Sequence, residues 1–300
     1  MRLYPPLRRE KARGLTVFIF HDVTDVPSSF ARQYGLFVEP DRFLKQIEWI
    51  RNEFRVAHPD ELLGPASHDL EGAALITFDD GWAGIFQNAL PMLDTRSLSS
   101  LVFLNPGPIL AARAMVPAAA AYLSQYHPDF GALADEFSLS VPFHLSIHPR
   151  ALRAFEERVG SAWLSPAIQY QGALVDAATL KRWQASPLVR FGNHLYDHWN
   201  SCALTDGEFS DQFIRASEAL REYPAYRPFL AFPNGRPGVA YGARHVALAK
   251  QLGVERVFSG LSVINESADA FELHRVSLTR DDVTASRIWF RLGRQLLARD

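Results

Sequence analysis

The chain has 300 residues, 48% of them hydrophobic, with 31 basic and 33 acidic side chains and a formal charge of −2. Such a composition suits a globular protein with a substantial core, and a near-neutral balance without a basic stripe excludes nucleic acid as an expected partner. The single cysteine, Cys202, excludes an intramolecular disulfide and a multi-cysteine zinc site.

Residues 1–14 form a basic arm bearing Arg2, Arg8, Arg9, Lys11 and Arg13, without the apolar stretch of a secretory signal. No apolar run is long enough to make a transmembrane helix, so the expected address is the cytoplasm. Residues 15–20 (LTVFIF) read as a buried strand ending at His21-Asp22. Residues 41–54 read as an amphipathic helix, because Phe43, Leu44, Ile47, Ile50 and Phe54 recur three or four apart. The apolar run 73–76 starts a second strand that leads into Asp79-Asp80-Gly81. A helical pattern follows over 82–93, and Pro91 within it predicts a kink or an early end. Aspartate favours turns and helix N-caps, so the Asp pair alone has an ordinary structural explanation. Two adjacent carboxylates also resist ionising together, which a proton or a cation between them would relieve. Neighbouring strand residues face opposite ways, so both can share one site only where the chain turns, and Gly81 permits a turn.

Residues 98–104 read as the next strand, broken by Asn105-Pro106-Gly107-Pro108. From there to about 172 the texture changes. Residues 111–121 are alanine-rich and helical in pattern, with Pro117 as a divider, and 149–159 form a charged surface helix. His144 and His148 have the spacing of one helical face, but Pro142 and Pro149 bracket them and argue against a long helix or a metal pair. The stretch reads as a helical insertion.

Residues 177–183 are helical with Asp176 as N-cap, and 188–191 form a short strand ending in Gly-Asn-His194-Leu-Tyr-Asp-His198. Thr205 to Glu208 has capping-box spacing and opens a helix reaching 223. Strands follow at 228–232, 256–259 and 271–278, the last carrying His274 and Arg275. Helices follow at 243–252 and 284–297. Strand and helix alternate about six or seven times, which predicts parallel strands with helical crossovers in one closed or nearly closed barrel. In such a barrel the strand ends share one rim. The rim would gather His21, Asp22, Asp79, Asp80, His194, His198, Asn234 and His274. Two histidines spaced as on a helical turn, plus one aspartate, make a mixed nitrogen–oxygen site of catalytic type, leaving the second aspartate free as a base.

Thr77-Phe78-Asp79-Asp80-Gly81 and Gly192-Asn193-His194-Leu195-Tyr196-Asp197-His198 resemble the first two motifs of the polysaccharide deacetylase family, also called the NodB-homology or carbohydrate esterase 4 family. The likeness covers roughly 15–105 and 176–280. The VFIFHDV segment at 17–23 resembles a branch acting on poly-N-acetylglucosamine-like exopolysaccharides. The resemblance implies a distorted parallel (β/α) barrel of about seven strands over 15–300, with the insertion at about 105–172 between the two motifs. It implies a metal-dependent hydrolase that removes an N-acyl group, chiefly N-acetyl, from an amino sugar or a polysaccharide precursor. Asp79 would be the base, and Asp80, His194 and His198 the ligands of one divalent metal. Such a site suits Zn²⁺ and also accepts Co²⁺, Ni²⁺, Mn²⁺ or Fe²⁺.

Three departures stand out. Ala231 occupies the place of the third motif's arginine, with Arg236 or Arg275 as substitutes. The final Leu-x-His motif is matched only by Leu273-His274-Arg275, so His274 and His21 compete as proton donor. The stretch between Asp80 and His194 is longer than compact members need. Asp22, Trp82, Asn234 and Arg275 stand as expected substrate contacts. Hydrolysis of a non-sugar amide, or a retired barrel that only binds carbohydrate, are the alternatives, and a homo-oligomer stays open.

Overall fold

The computed structural model describes residues 14–63, 70–111 and 113–297. The basic arm, apart from Gly14, lies outside the described residues. Eleven strands occur among them. They are β1 (Thr16–Phe20), β2 (Asp22–Val23), β3 (Phe37–Val38), β4 (Arg55–Val56), β5 (Ala73–Phe78), β6 (Ser100–Leu104), β7 (Val189–Asn193), β8 (Tyr226–Ala231), β9 (Arg256–Phe258), β10 (Glu272–Leu273) and β11 (Arg275–Ser277). Eight run side by side in the order β10–β9–β8–β7–β6–β5–β1–β11, all pairs parallel, with β4 beside β5 off this path and β2 paired to β3 apart.

The sheet curls into a nearly closed barrel through one short segment. Glu272 and Leu273 pair with Val257 and Phe258, whereas Arg275–Ser277 pair with Val17–Ile19. His274 alone separates the two halves, so neighbouring residues take partners from opposite ends of the sheet. Leu273 lies level with the last residue of β9, and Arg275 lies level with the second residue of β1. A register step of this kind is the stagger that closing a barrel requires. The split makes eight strands where alternation predicted about seven.

Period two along the strands sorts the core. Val17, Leu75, Leu101, Phe103, Phe229, Phe258 and Leu273 form one buried cluster inside the barrel. Their neighbours Phe18, Ile76, Phe78, Val102 and Leu104 pack outward, against helix residues such as Phe43, Ile47 and Ile50. Those three come from the helix Pro40–Glu53, which starts on Pro40 where a missing N–H costs nothing. Phe103 fills the interior so closely that a Cβ on Gly192 would come within 2.5 Å of its ring. Truncating such a residue to alanine costs about 3–5 kcal/mol.

Two prolines act differently from expectation. The helix after Gly81 neither ends nor breaks at Pro91. A single wide turn, Ile85–Ala89, precedes the α-helix Leu90–Asp94. That turn loosens the ladder where Pro91 has no N–H to give and would crowd the preceding carbonyls. Pro117 starts the helix Val116–Tyr126 and does not divide it. Six helices occupy the span from Pro106 to Gln171. No helix among the described residues is long and apolar enough to cross a membrane.

Candidate active site

Chain turns at the barrel's rim, together with part of the helical segment, build one cavity of about 390 Å³, within the range of small-molecule sites. His21, Asp79, Asp80, His194, His198 and Arg275 all line it. Strand parity explains most of this set. Val17 and Leu75 point inward, so His21 and Asp79, each an even number of residues further on, point inward too.

The turn that lets Asp80 join Asp79 begins one residue earlier than Gly81. Asp80 itself has φ 72° and Gly81 φ 79°. A left-handed aspartate is uncommon and is strained where tertiary contacts do not hold it. Here Trp82 Nε1 donates to Asp80 Oδ2 at 2.9 Å. Trp82 is 1% exposed and stacks near Phe30, with ring centres 6.3 Å apart. Behind the turn, Ala83 N donates to Ala173 O and Val175 N to Gly81 O, tying it to the chain that returns from the helical segment.

His194 and His198 do not stand on a helical turn. They follow β7 in an irregular loop whose Leu195 and His198 have φ 59° and 63°. The loop is clamped from several sides. Asn193 Oδ1 accepts from Leu195 N at 2.7 Å, and Asn105 Nδ2 donates to the carbonyls of His194 and Leu195. Gln212 accepts from Asp197 N at 2.8 Å and donates to Asp197 Oδ2 at 3.0 Å. The two imidazoles meet edge to face, centres 4.8 Å apart, with their Nε2 atoms 3.4 and 3.1 Å from Asp80 Oδ1.

These three side chains form a ligand set whose donor atoms lie within 4.8 Å of one another, all buried. The set fits a divalent cation on its own chemistry. His194 Nδ1 lies 2.8 Å from Ala231 O, so it carries the proton and turns the Nε2 lone pair inward. Asp80 Oδ1, buried between the two rings, has no hydrogen-bond partner of its own. A buried carboxylate oxygen between two imidazole nitrogens, with no hydrogen bond of its own, is an atom that a shared divalent cation would satisfy.

Electrostatics separate the two aspartates. Burial pushes both carboxyls up, but their neighbours outweigh it. The Arg275 charge, His194 and the Arg275 hydrogen bonds hold Asp79 below the usual carboxylate range. His198 and the close His194 ring hold Asp80 well below it. Arg275 reaches Asp79 with two bonds, Nη1 to Oδ1 at 2.6 Å and Nη2 to Oδ2 at 2.8 Å. Its Nε donates to Ser259 O at 2.9 Å, and its guanidinium lies over the Phe103 ring. Burial lowers the His194 pKa, yet Asp79 and Asp80 raise it overall. His21 goes the other way, because burial outweighs the pull of the same two carboxylates.

The other residues singled out from the sequence divide. Asn234, with φ 60°, and Arg236 line the cavity, but the arginine in contact with Asp79 is Arg275. His274 does not line the cavity. It precedes Arg275 on the closing segment and so faces the other way, with Nδ1 2.8 Å from Ser259 Oγ. Trp82 sits behind Asp80. Asp22 also lies outside the cavity, where a Cβ on Gly84 would come within 2.3 Å of its Oδ1. His144 and His148 are not a pair. His144 lines the cavity, whereas His148 caps the helix Pro149–Val159 by accepting from Ala151 N at 3.3 Å. Tyr34 and Leu145, which sequence reading passed over, also line the cavity.

A search of curated proteins gives no match. Solved structures share the fold. IcaB from Ammonifex degensii is 19% identical with a TM-score of 0.61, covering 93% of this chain and 97% of that one. Streptococcus pyogenes deacetylase PplD, solved with acetate, is 14% identical with a TM-score of 0.62, covering 93% and 98%. A de-N-acetylase from Aggregatibacter actinomycetemcomitans is 14% identical with a TM-score of 0.60, covering 93% and 99%. Residues 67–257, which carry both the Asp-Asp turn and the histidine loop, match the polysaccharide deacetylase family. The chain belongs to that family, whose enzymes act on the C–N amide bonds of sugars.

Proposed function

We propose that the chain removes an N-acyl group, chiefly N-acetyl, from an amino-sugar unit of a polysaccharide or its precursor. The observation that carries this reading is the stranded Asp80 Oδ1 between two imidazole Nε2 atoms, with an ionised Asp79 beside it. A divalent cation held by Asp80, His194 and His198, with Zn²⁺ the best fit to this donor set, would polarise the amide carbonyl and acidify water.

The protein's own groups do the rest. Asp79 is the general base, taking a proton from the attacking water. Arg275 keeps it charged and fixes its plane. A carboxylate has about four lone-pair sites, so two arginine bonds leave acceptor capacity toward the cavity. His21 is assigned as the donor that protonates the leaving amine, because it lines the cavity and His274 does not. Its lowered pKa makes the imidazolium, once formed, a stronger acid.

The test is metal analysis of wild type beside His194→Ala, with acetate release measured on N-acetylated sugars. Loss of both metal and activity in the variant is expected. Stoichiometric metal retained by His194→Ala would overturn the site. Metal bound by wild type without hydrolysis of any N-acetylated sugar would overturn the activity.

A further inference from the structure

Two arginines line the cavity, and they stand in opposite conditions. Arg275 is almost wholly buried, with its guanidinium committed to Asp79 and to Ser259 O. Arg236 is exposed, and among the described residues no hydrogen bond, ion pair or ring contact holds its side chain. No carboxylate on the cavity wall is left for it. The two that line the cavity are Asp79, which Arg275 already grips, and Asp80, which sits between two imidazoles.

The backbone that carries Arg236 is tightly held. It follows Asn234 and Gly235, both left-handed, with φ 60° and 57°. Gly260 N donates to Gly235 O at 2.6 Å, and a Cβ on Gly235 would come within 2.4 Å of that nitrogen. The carbonyl of Arg236 accepts from Val239 N and Ala240 N, at 3.2 and 2.8 Å. The turn after β8 is thus fixed on both sides of Arg236, while the guanidinium itself is left unmatched. Asn234, exposed on the same turn, also has no side-chain partner among the described residues.

A solvated surface arginine would explain the unmatched guanidinium but not its place. Leu145, Val239 and Ala240 line the same cavity, and apolar walls concentrate the field of a charge held in a cleft. A planar guanidinium matches two oxygens of a phosphate or a carboxylate at once. An uncharged sugar has no group of that kind.

We propose that Arg236, assisted by the Asn234 amide, selects substrates whose N-acylated amino sugar carries an oxyanion, as a phosphate ester or a carboxylate. The proposal rests on the deacetylase reading, which brings the N-acyl group to Asp80, His194 and His198. Its own content is a second point of attachment, on the turn after β8.

The experiment measures KM and kcat for acetate release from N-acetylglucosamine, its 1-phosphate, its 6-phosphate and N-acetylmuramic acid, with Arg236→Ala and Arg236→Lys beside wild type. In wild type at least one anionic sugar should have a KM roughly tenfold below that of the neutral sugar, and added salt should erode the difference. Arg236→Ala should abolish the preference, and Arg236→Lys, which keeps the charge without the fork, should retain part of it. Preference for a phosphate ester supports the proposal and assigns a phosphate; preference for N-acetylmuramic acid supports it and assigns a carboxylate. No preference for any anionic sugar in wild type would overturn it, as would a preference that survives Arg236→Ala. A parallel arm measures binding of the same four sugars by calorimetry. If wild type hydrolysed no N-acetylated sugar, the deacetylase reading would fail, and the binding arm would then decide. Anion-dependent binding lost in Arg236→Ala would uphold the oxyanion contact, and binding that is absent or indifferent to the anion would overturn it.

Discussion

Arg275 grips Asp79 through both carboxylate oxygens, at 2.6 and 2.8 Å, and both residues are almost wholly buried. Ala231 supplies no side-chain charge to the site; its carbonyl accepts from His194. The guanidinium that grips Asp79 therefore arrives from the strand that closes the barrel.

Arg275→Ala should retain metal and lose turnover by about 10²-fold or more, the usual worth of a positioned base. It should also be destabilised by about 3–5 kcal/mol, because Asp79 is left as a buried, unpaired charge. The pH profile separates orientation from charge. Wild type should keep its base ionised down to pH values below the ordinary carboxylate range. In Arg275→Gln the acid limb of kcat/KM should move upward. An unmoved limb would mean that Asp79 is not the group titrating.

The proton donor is decided by two single variants. His21→Ala should lose about 10²-fold or more in kcat and flatten the alkaline limb. His274→Ala should stay within a few-fold of wild type, since its ring faces Ser259. The reverse pattern would return the role to His274.

Trp82→Phe keeps the ring and deletes the N–H that holds Asp80 Oδ2. Removing such an orienting partner typically weakens metal affinity about 10- to 100-fold. Competition against a chelator of known affinity measures it. Unchanged affinity would reduce Trp82 to a packing role.

Asp22 gives a pH signature outside the cavity. Burial pushes its carboxyl up to about 6, against the backbone N–H groups of Val23 and Gly84. A carboxyl with a raised folded-state pKa favours the fold when protonated. That contribution is complete below the unfolded value near 4 and is lost as pH rises through about 6. Asp22→Asn should therefore match wild type in stability at pH 4. At pH 8 it should be the more stable, by at most about 3 kcal/mol. Chemical denaturation at the two pH values checks the sign.

That Asp80, His194 and His198 come together was legible because these residue types concentrate at strand ends. Asp79-Asp80 closes an apolar run, and His194 and His198 follow another. Their backbone was not legible. A four-residue spacing mimics a helical turn, whereas the fold holds Leu195 and His198 left-handed through Asn193 beside them and through the distant Asn105 and Gln212. Arg275 was half legible. Inward-facing Leu273 implies, by period two, that Arg275 enters the barrel and His274 does not. The resemblance offered Arg275 as one of two substitutes for the missing arginine, beside Arg236, and left the choice between them open. The wall made by His144 could not be read at all. Six short helices between prolines have no periodicity that says which end folds back over a rim.

The segment around His274 also sets the order in which the site's residues are synthesised. Asp79 and Arg275 are 196 positions apart, and the residues that close the barrel are the ones that deliver the arginine. As the chain emerges from a ribosome, the Asp-Asp turn and later the histidine loop appear long before the guanidinium that completes them. Until Arg275 is made, Asp79 has no guanidinium partner. On the proposed mechanism, a chain whose last seam is open lacks the guanidinium that orients Asp79 and should be inactive even with Asp80, His194 and His198 in place.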